Sequence, residues 1–373
     1  MKILHVCESV IGGTGSYLSE LVPHQVAKYG ADNVALLIPK NQIEFLERDI
    51  IEAGPRILTF MRPMRSLGSF FLLQKYLRTL MTFEPDIVHA HSSVAGAIVR
   101  LFRHPQNSRI VFCPHGWSMD MTGARYVRPI AEKVERWLAR FPDKIVVISR
   151  HEYNRALELG LSPDKLKLIP NGIDKNIPSV KAAEWKDDRI RVLYAGRFDY
   201  QKGVDILLEA VQGIEEQVCV RLVGDFALSE IPFPTPLPDG VERLGWLDRD
   251  GVAAQMKSCD VLVVPSRWEG FGLVAVEAMR LSVPVLASAV GGLKEILADG
   301  KYGYTLPSED PVALRNKLTS LKREELREVG ANGYGRFLAT YTSDRMVQQI
   351  DEIYAEITEN HAYIGEIRGV EES

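Results

Sequence analysis

The sequence has 373 residues, which is more than a single hydrophobic core usually holds, so two domains are expected. An apolar fraction of 46% and a charged fraction of 25% are typical of an ordinary soluble globular protein. The first 175 residues carry 23 lysines and arginines against 17 acidic residues, whereas the remainder carries 22 against 32. No basic stripe is interleaved with aromatic residues, which argues against nucleic acid as a partner.

The cysteines and the apolar runs indicate a cellular location. The run Met1–Cys7 is too short for a signal peptide and Glu8 comes too early, and no apolar run is long enough to span a bilayer. The four cysteines show no metal-ligand spacing, so free thiols in a reducing cytoplasm are expected at Cys7, Cys113, Cys219 and Cys259. We therefore expect a cytoplasmic protein, bound at most to the inner face of the cytoplasmic membrane.

The chain opens with a Rossmann-like pattern. Lys2–Cys7 is a buried strand signal, residues 11–16 form a glycine loop, and Tyr17–Tyr29 carries helical periodicity. The glycine spacing differs from G-x-G-x-x-G and no acidic residue closes a second strand, which argues against a dinucleotide-dependent dehydrogenase.

Strands and helices then alternate, which predicts a parallel sheet covered on both faces. An amphipathic helix is expected over residues 69–82, and Ser149 is expected to cap the helix that follows it rather than to contact an acceptor. Further strands are predicted at 34–39, 57–60, 85–91, 109–115, 144–149 and 165–170.

The periodicity fails between Lys175 and Arg189, where we place the linker between a first domain (1–178) and a second (179–342). A helix is predicted over 343–359, with a polar and frayed tail after it. The second domain restarts the alternation, with strands predicted at 191–195, 218–225, 241–245, 261–264 and 284–287.

A turn between the strand 261–264 and a helix from Leu273 carries two carboxylates. Glu269 lies in the turn and Glu277 about one turn inside the helix, on a face that it can share with the helix mouth. The first backbone N–H groups of such a helix lack partners and favour a phosphate, here those of Phe271, Gly272 and Leu273. An ordinary βαβ unit with solvated glutamates fits the same pattern.

Two cations follow the first strand of the second domain. Arg197 and Lys202 lie in the segment G-R-x-x-x-x-K-G, at the carboxyl end of a predicted strand. A cationic pair there can neutralise a diphosphate leaving group. Taken alone, the pair fits two solvated cations in a turn better than a diphosphate site.

Together, the E-x7-E pattern and G-R-x4-K-G resemble the retaining GT-B glycosyltransferases of family 4, also known as glycosyl transferases group 1. The resemblance implies an α/β fold in which two Rossmann-like domains face each other across an interdomain cleft. It also implies that the C-terminal helix, 343–373, crosses back to the first domain. The implied enzyme is a hexosyltransferase.

The resemblance also implies roles for individual residues. His115, in an HG pair, and Glu269 would be the catalytic contacts at the donor sugar, and Glu277 would bind the ribose of the nucleotide. Gly12 would lie near the acceptor, and His89 and His91 match a less specific family pattern. The donor diphosphate would be bound by Gly13, Arg197, Lys202, Phe271, Gly272 and Leu273.

The sequence departs from the family pattern at two positions. Gly15 stands where a glutamate is common, and Phe226 replaces the second glycine of a G-D-G motif. Asp248-Arg249-Asp250 imitates a D-x-D metal motif, but it precedes a helix, where aspartate is a natural cap. With two cations and a helix terminus available, no divalent metal or other cofactor is expected.

The expected reaction moves a hexose-type sugar from a nucleotide diphosphate sugar, preferably a UDP-sugar, to a hydroxyl of a saccharide or lipid-linked saccharide. A role in bacterial cell-surface polysaccharide or lipopolysaccharide assembly is expected. The loops 117–125 and 226–240 are expected to determine which base, sugar and acceptor are bound, but no residue spacing in them predicts these choices. An epimerase of the same fold and a non-catalytic nucleotide-sugar-binding module stay open as alternatives.

An anionic membrane surface is a further expected partner. The helix 69–82 is apolar on one side, and it carries or follows the cations Arg62, Arg65, Lys75 and Arg78. A core helix with solvated cations fits nearly as well.

Overall fold

A computed structural model describes residues 1–63, 65–103, 108–117, 119, 128–186, 188–226, 233 and 236–371. The chain divides into two compact units, of which the first comprises Met1–Gly172 with the segment from Ser343 onward, and the second comprises Ile173–Thr342. The boundary expected from the sequence, 178/179, lies a few residues further along the chain. Most of the two predicted specificity loops, 117–125 and 226–240, falls outside the described residues.

The first unit contains a seven-stranded parallel sheet in the order β3-β2-β1-β4-β5-β6-β7. The strand order reverses between β1 and β4, and ligands of open α/β sheets bind at the carboxyl ends of the strands next to such a switch point. Strands β1, β2 and β4 are buried along their whole length because helices cover both faces. The strands are β1 (Ile3–Cys7), β2 (Val34–Pro39), β3 (Arg56–Phe60), β4 (Ile87–His91), β5 (Arg109–Cys113), β6 (Lys144–Val147) and β7 (Leu166–Leu168).

In the described residues, the α-helices between these strands are α1 (Gly13–Tyr29), α2 (Arg48–Ala53), α3 (Arg65–Phe83), α4 (Ser93–Leu101), α5 (Arg128–Leu138) and α6 (Arg150–Glu158). The sequence reading did not predict α2, α4 or α5. The hydroxyl of Ser149 accepts a hydrogen bond from the backbone N–H of Glu152 at 3.2 Å, which confirms Ser149 as the cap of α6. No helix in the described part of the chain is long and apolar enough to cross a membrane.

The second unit contains a six-stranded parallel sheet in the order β10-β9-β8-β11-β12-β13. Its strands are β8 (Ile190–Ala195), β9 (Val218–Val223), β10 (Val241–Gly245), β11 (Val261–Val264), β12 (Val285–Ser288) and β13 (Tyr304–Leu306). Its helices are α7 (Val204–Val211), α8 (Arg249–Met256), α9 (Leu273–Arg280), α10 (Gly291–Ile296), α11 (Pro311–Ser320) and α12 (Arg323–Thr340). The adjacent strands β8 and β11 carry the two predicted site loops at their carboxyl ends.

The last helix, α13 (Ser343–Glu371), belongs to the first unit, as the resemblance implied. Ile350 and Tyr354 are fully buried, and Glu356 forms ion pairs with Lys144 at 2.6 Å and with Lys167 at 3.0 Å. The prediction of a frayed tail after residue 359 is wrong, since the helix continues to Glu371.

Candidate active site

The turn between β11 and α9 presents unpaired backbone N–H groups. Gly272 precedes the helix with a φ of +105°, and a Cβ atom there would lie 2.6 Å from Leu293 Cδ2, so glycine is required. Among the described residues, the N–H groups of Phe271, Gly272 and Leu273 have no hydrogen-bond acceptor. A helix N-terminus with free donors attracts an anion such as a phosphate.

The cation of one predicted motif contacts the carboxylate of the other. Lys202 Nζ lies 2.6 Å from Glu269 Oε2, although the two residues are 67 positions apart in the sequence. Both side chains are mostly buried, with 23% and 11% of their surfaces exposed. A charge-assisted hydrogen bond of this kind fixes the direction of both groups. The two loops therefore form one site at the carboxyl ends of β8 and β11.

Arg197 is held within its own loop. Its Nε lies 3.0 Å from Asp199 Oδ2, and its terminal nitrogen donates to Gln201 Oε1 at 3.1 Å. The backbone carbonyl of Arg197 accepts a hydrogen bond from the hydroxyl of the buried Tyr194 at 2.7 Å. The guanidinium, 31% exposed, is thus oriented before any ligand binds.

Two features that support Glu269 were missed by the sequence reading. The hydroxyl of Ser266, which is fully buried, donates to Glu269 Oε2 at 3.3 Å. Gly291 packs against the same turn with a φ of +47°, and a Cβ atom there would lie only 1.8 Å from the carbonyl oxygen of Glu269. Gly291 lies 22 positions beyond Glu269 in the sequence, so their contact depends on the fold.

Glu277 lies inside α9, partly exposed, while Glu269 lies in the turn before the helix. The structure places the two carboxylates as the sequence predicted, at different depths relative to the free N–H groups. Glu269 and Glu277 can therefore contact different parts of one ligand.

In the first unit, the loop between β1 and α1 has free space beside its backbone. Gly12 has a φ of +83°, and nothing lies within 4 Å of where a Cβ atom would stand at Gly12 or Gly13. A ligand can therefore approach this backbone closely.

Four histidines gather at the switch point of the first sheet. His5 on β1 pairs in register with His89 on β4, and His91 lies two residues further along β4 on the same face. His91 Nδ1 lies 2.8 Å from His115 Nε2, and His91 Nε2 lies 3.0 Å from His5 Nδ1. His115 follows β5 with a left-handed φ of +52°. The sequence reading missed His5, although a histidine inside the apolar run K-I-L-H-V-C was a visible signal.

Burial keeps these imidazoles neutral. It lowers the pKa of His5 to about 4 and that of His115 to about 3, and it lowers the pKa values of His89 and His91 well below the ordinary value. Nitrogen atoms of His5, His89 and His91 lie within 4.8 Å of one another, which is close enough for one metal ion. However, His5 and His91 already bond each other, and His89 Nδ1 bonds the hydroxyl of Tyr354 at 2.7 Å.

Family models match both halves of the chain. Residues 11–176 match the model described as Glycosyltransferase Family 4, and residues 177–356 match that described as Glycosyl transferases group 1. The chain belongs to glycosyltransferase family 4. It is a GT-B glycosyltransferase, as the two motifs of the second unit predicted.

Two relatives of this glycosyltransferase align with at least 90% of its length. An uncharacterized 41.2 kDa protein of the cps region of Klebsiella pneumoniae is 30% identical in an alignment of 359 positions, which covers 90% of this chain and 96% of the relative. A phosphatidyl-myo-inositol mannosyltransferase of Mycobacterium leprae is 27% identical, over 95% of this chain and 96% of its own. The crystal structure of Anabaena Alr3699/HepE in complex with UDP-glucose has a TM-score of 0.79 at 21% identity, covering 95% of this chain and 100% of that one.

The glycosyltransferase departs from its family pattern at Gly15 for a steric reason. A Cβ atom at Gly15, in the first turn of α1, would lie 2.1 Å from the carbonyl oxygen of Val10, so this position has no room for the glutamate that the resemblance led us to expect. At the G-D-F segment, Asp225 forms an ion pair with Arg243, whose guanidinium lies 5.4 Å from the ring centroid of Phe226. Phe226 therefore packs beneath a cation instead of providing a second glycine.

Asp248 is a helix cap, as predicted. Its carboxylate accepts a hydrogen bond from the backbone N–H of Gly251 at 2.8 Å, at the start of α8. This capping contact accounts for the first aspartate of the D-x-D pattern.

Proposed function

We propose that this glycosyltransferase transfers a hexose-type sugar from a nucleotide diphosphate sugar to an acceptor hydroxyl with retention of configuration. The contact between Lys202 and Glu269, beside the free N–H groups at the start of α9, is the observation that carries the proposal. A diphosphate is bound by cations and N–H donors, and a sugar hydroxyl by a carboxylate in a fixed position. The loops after β8 and β11 together provide the cations, the N–H donors and the carboxylate.

The side chains divide the donor between them in this proposal. Arg197, Lys202 and the N–H groups of residues 271–273 bind the diphosphate, and Glu277 binds the ribose. Glu269 faces the transferred sugar. For the first unit, the family resemblance implies that His115 contacts the sugar, Gly13 the diphosphate and Gly12 the acceptor. UDP is the preferred nucleotide because a structural neighbour was crystallised with UDP-glucose.

Catalysis would depend on positioning and on charge. Among the described residues we identify no evident covalent nucleophile, so we propose that the leaving diphosphate deprotonates the incoming hydroxyl on the same face of the sugar. The two cations and the helix terminus stabilise the charge that develops as the sugar–phosphate bond breaks. We propose that no divalent metal takes part, since these groups already neutralise the diphosphate.

The acceptor is proposed to be a saccharide or lipid-linked saccharide of a bacterial cell surface. The relative encoded in a cps region and the relative that acts on a phosphatidyl-inositol support this class. Exposed apolar side chains of the first unit support an approach to a membrane: on α3, Phe70 is 64% and Met81 78% exposed. On α5, the exposed residues Ile130, Val134 and Trp137 follow one face at helical spacing, with exposed Lys133 and Arg136 beside them.

Among the expected surface cations whose side chains the structure describes, Arg62 is already paired. Arg62 forms an ion pair with Glu8 at 3.2 Å, whereas Arg78 is exposed. Flotation should recover the protein with anionic but not with neutral liposomes, and salt should weaken the binding. Phe70→Ser with Met81→Ser should reduce the bound fraction, whereas Leu338→Ser, at an exposed site of the second unit, should not. Equal binding to both kinds of liposome, or to neither, would reject the membrane proposal.

The reaction itself is tested by the release of nucleotide diphosphate. A thermal-shift screen of UDP-, GDP- and ADP-sugars first selects the donor, and candidate acceptors are then supplied with it. Release of the free nucleotide diphosphate only when an acceptor is present supports the transferase. Inversion at C2 of the donor sugar without acceptor would instead identify an epimerase.

A further inference from the structure

Beneath His115, a line of hydrogen-bonded side chains runs through the core of the first unit. We call Gln25, His5, His91 and His115 the histidine network. Gln25 on α1 bonds His5 Nε2 at 2.7 Å, and the bonds from His5 to His91 and from His91 to His115 continue the line without a break. Gln25, His5 and His91 are at most 1% exposed, so water does not interrupt them.

In the histidine network, the position of the proton on one imidazole determines its position on the next. A neutral imidazole has one N–H donor and one bare acceptor nitrogen. If one nitrogen of a ring donates, the other must accept, and the next ring in line is forced to follow. Burial lowers the pKa of each of the three histidines, so the neutral form holds at neutral pH.

The amide of Gln25 sets the direction. Its Nε2 donates to the hydroxyl of Tyr354 at 3.5 Å, which turns the amide oxygen toward His5. An amide oxygen only accepts, so His5 carries its proton on Nε2 and accepts with Nδ1. His91 then donates from Nε2 and accepts with Nδ1.

At the far end, His115 must donate from Nε2. Its Nδ1 is left as a bare acceptor that has no partner among the described residues. His115 also holds a left-handed φ of +52° beside Gly116, and its bond to His91 anchors the ring in that conformation.

We propose that Gln25, His5 and His91 are positioning residues that hold His115 in the tautomer with its proton on Nε2, so that Nδ1 accepts a hydrogen bond from a hydroxyl of the donor sugar. The part played at the sugar rests on the proposed function, whereas the tautomer is a property of the free protein. The network thus gives His115 an acceptor where an unsupported imidazole could present either a donor or an acceptor.

The tautomer can be read directly by long-range ¹H–¹⁵N NMR on the full chain labelled with ¹⁵N-histidine, with His115→Gln to assign the signals. The expected spectrum shows His115 protonated on Nε2 alone. A proton on Nδ1, or averaged shifts from two tautomers, would overturn the proposal.

Gln25→Met provides the sharpest test, because it removes the acceptor at the end of the network farthest from His115 while keeping a side chain of similar size. His115 should then show averaged tautomers, and transfer to the acceptor should fall roughly 10- to 100-fold, the usual effect of removing a partner that orients a functional histidine. Binding of the free nucleotide diphosphate should not change.

Tyr17→Phe is the matched control. The ring of Tyr17 lies 4.8 Å from that of His115, closer than Gln25, but its hydroxyl has no partner among the described residues. This variant should keep the tautomer and the rate. If Gln25→Met leaves His115 in one tautomer, the proposal is wrong.

Two further outcomes separate the explanations. His91→Asn keeps an acceptor near the position of Nδ1 and should restore most of the activity lost in His91→Phe. A stoichiometric metal ion in the purified protein, lost in His89→Gln, would show that the imidazoles are ligands and would overturn the proposal. If the wild type shows the expected tautomer but no transfer with any donor, the proposed function fails and the network stands.

Discussion

Acid should destabilise the first unit selectively, because four buried neutral histidines lie in its core. Their folded pKa values are depressed, to about 4 for His5 and about 3 for His115, and well below the ordinary value for His89 and His91. The unfolded chain takes up protons below pH 6.5, whereas the folded unit does not. The stability is therefore fully present above about pH 6.5 and is lost as the pH falls toward the folded pKa values.

The magnitude follows from the pKa difference. A pH of 5 lies about 1.5 units below the unfolded pKa of a histidine. Each buried neutral histidine therefore lowers the free energy of unfolding by about 2 kcal/mol at this pH, or about 8 kcal/mol for all four. The carboxyls of Glu132 and Glu356 add little in this window, because hydrogen bonds from Arg128 and Lys144 hold their pKa values below the ordinary value.

Hydrogen exchange measured by mass spectrometry between pH 7 and pH 5 can follow each unit separately, after correction for the intrinsic exchange rate. The second unit is the internal control, because residues 173–342 contain no histidine. Strands β1 and β4 should lose protection free energy strongly while β8 and β11 change little, and His91→Asn should reduce the loss by about 2 kcal/mol. The reasoning would be refuted if β1 and β4 lost less protection free energy than the about 2 kcal/mol expected for one histidine. An equal loss in both units would also refute it.

Three further predictions concern single side chains. Glu277→Gln should weaken the binding of nucleotide and nucleotide sugar alike by about 1.5–3 kcal/mol, whereas Glu269→Gln should spare nucleotide binding and lower turnover; calorimetry and kinetics decide, and the reverse pattern would contradict the assigned roles. Activity should survive EDTA, and Asp248→Ala should cost about 1 kcal/mol of stability as a lost cap, more than Asp250→Ala; inhibition by chelator that manganese reverses would disprove metal independence. Gly15→Glu should destabilise the fold by about 3 kcal/mol in thermal unfolding because of the Val10 carbonyl, and an unchanged melting temperature would contradict the steric argument.

The second unit was the easier to predict because its chemistry is local in sequence. The turn with Glu269, the helix with Glu277 and the loop with Arg197 and Lys202 each lie within a short segment with its own turn and helix signals. The contact between Lys202 and Glu269 could not be predicted, since it depends on β8 and β11 being neighbours in the sheet.

The first unit shows the limit of sequence reasoning more clearly. His115 was found through the HG pair, but its support comes from His5 on β1 and His91 on β4, which only the strand order brings together. Likewise, α13 continues past the predicted end at residue 359, where the polar composition alone indicated fraying.

The central claim is that the loops after β8 and β11 bind a nucleotide diphosphate. The direct measurement is calorimetric titration of UDP, GDP and ADP, and of the matching nucleosides, into the wild type, Arg197→Ala and Lys202→Ala, with Lys322→Ala as an exposed cation elsewhere in the second unit. Each site variant should weaken the preferred diphosphate at least about tenfold, or about 1.4 kcal/mol, and leave the nucleoside unchanged. Lys202→Ala should have the larger effect, because it also leaves the Glu269 carboxylate unpaired beside the phosphates. Diphosphate binding that is unaffected by either variant, or reduced equally by Lys322→Ala, would contradict the account.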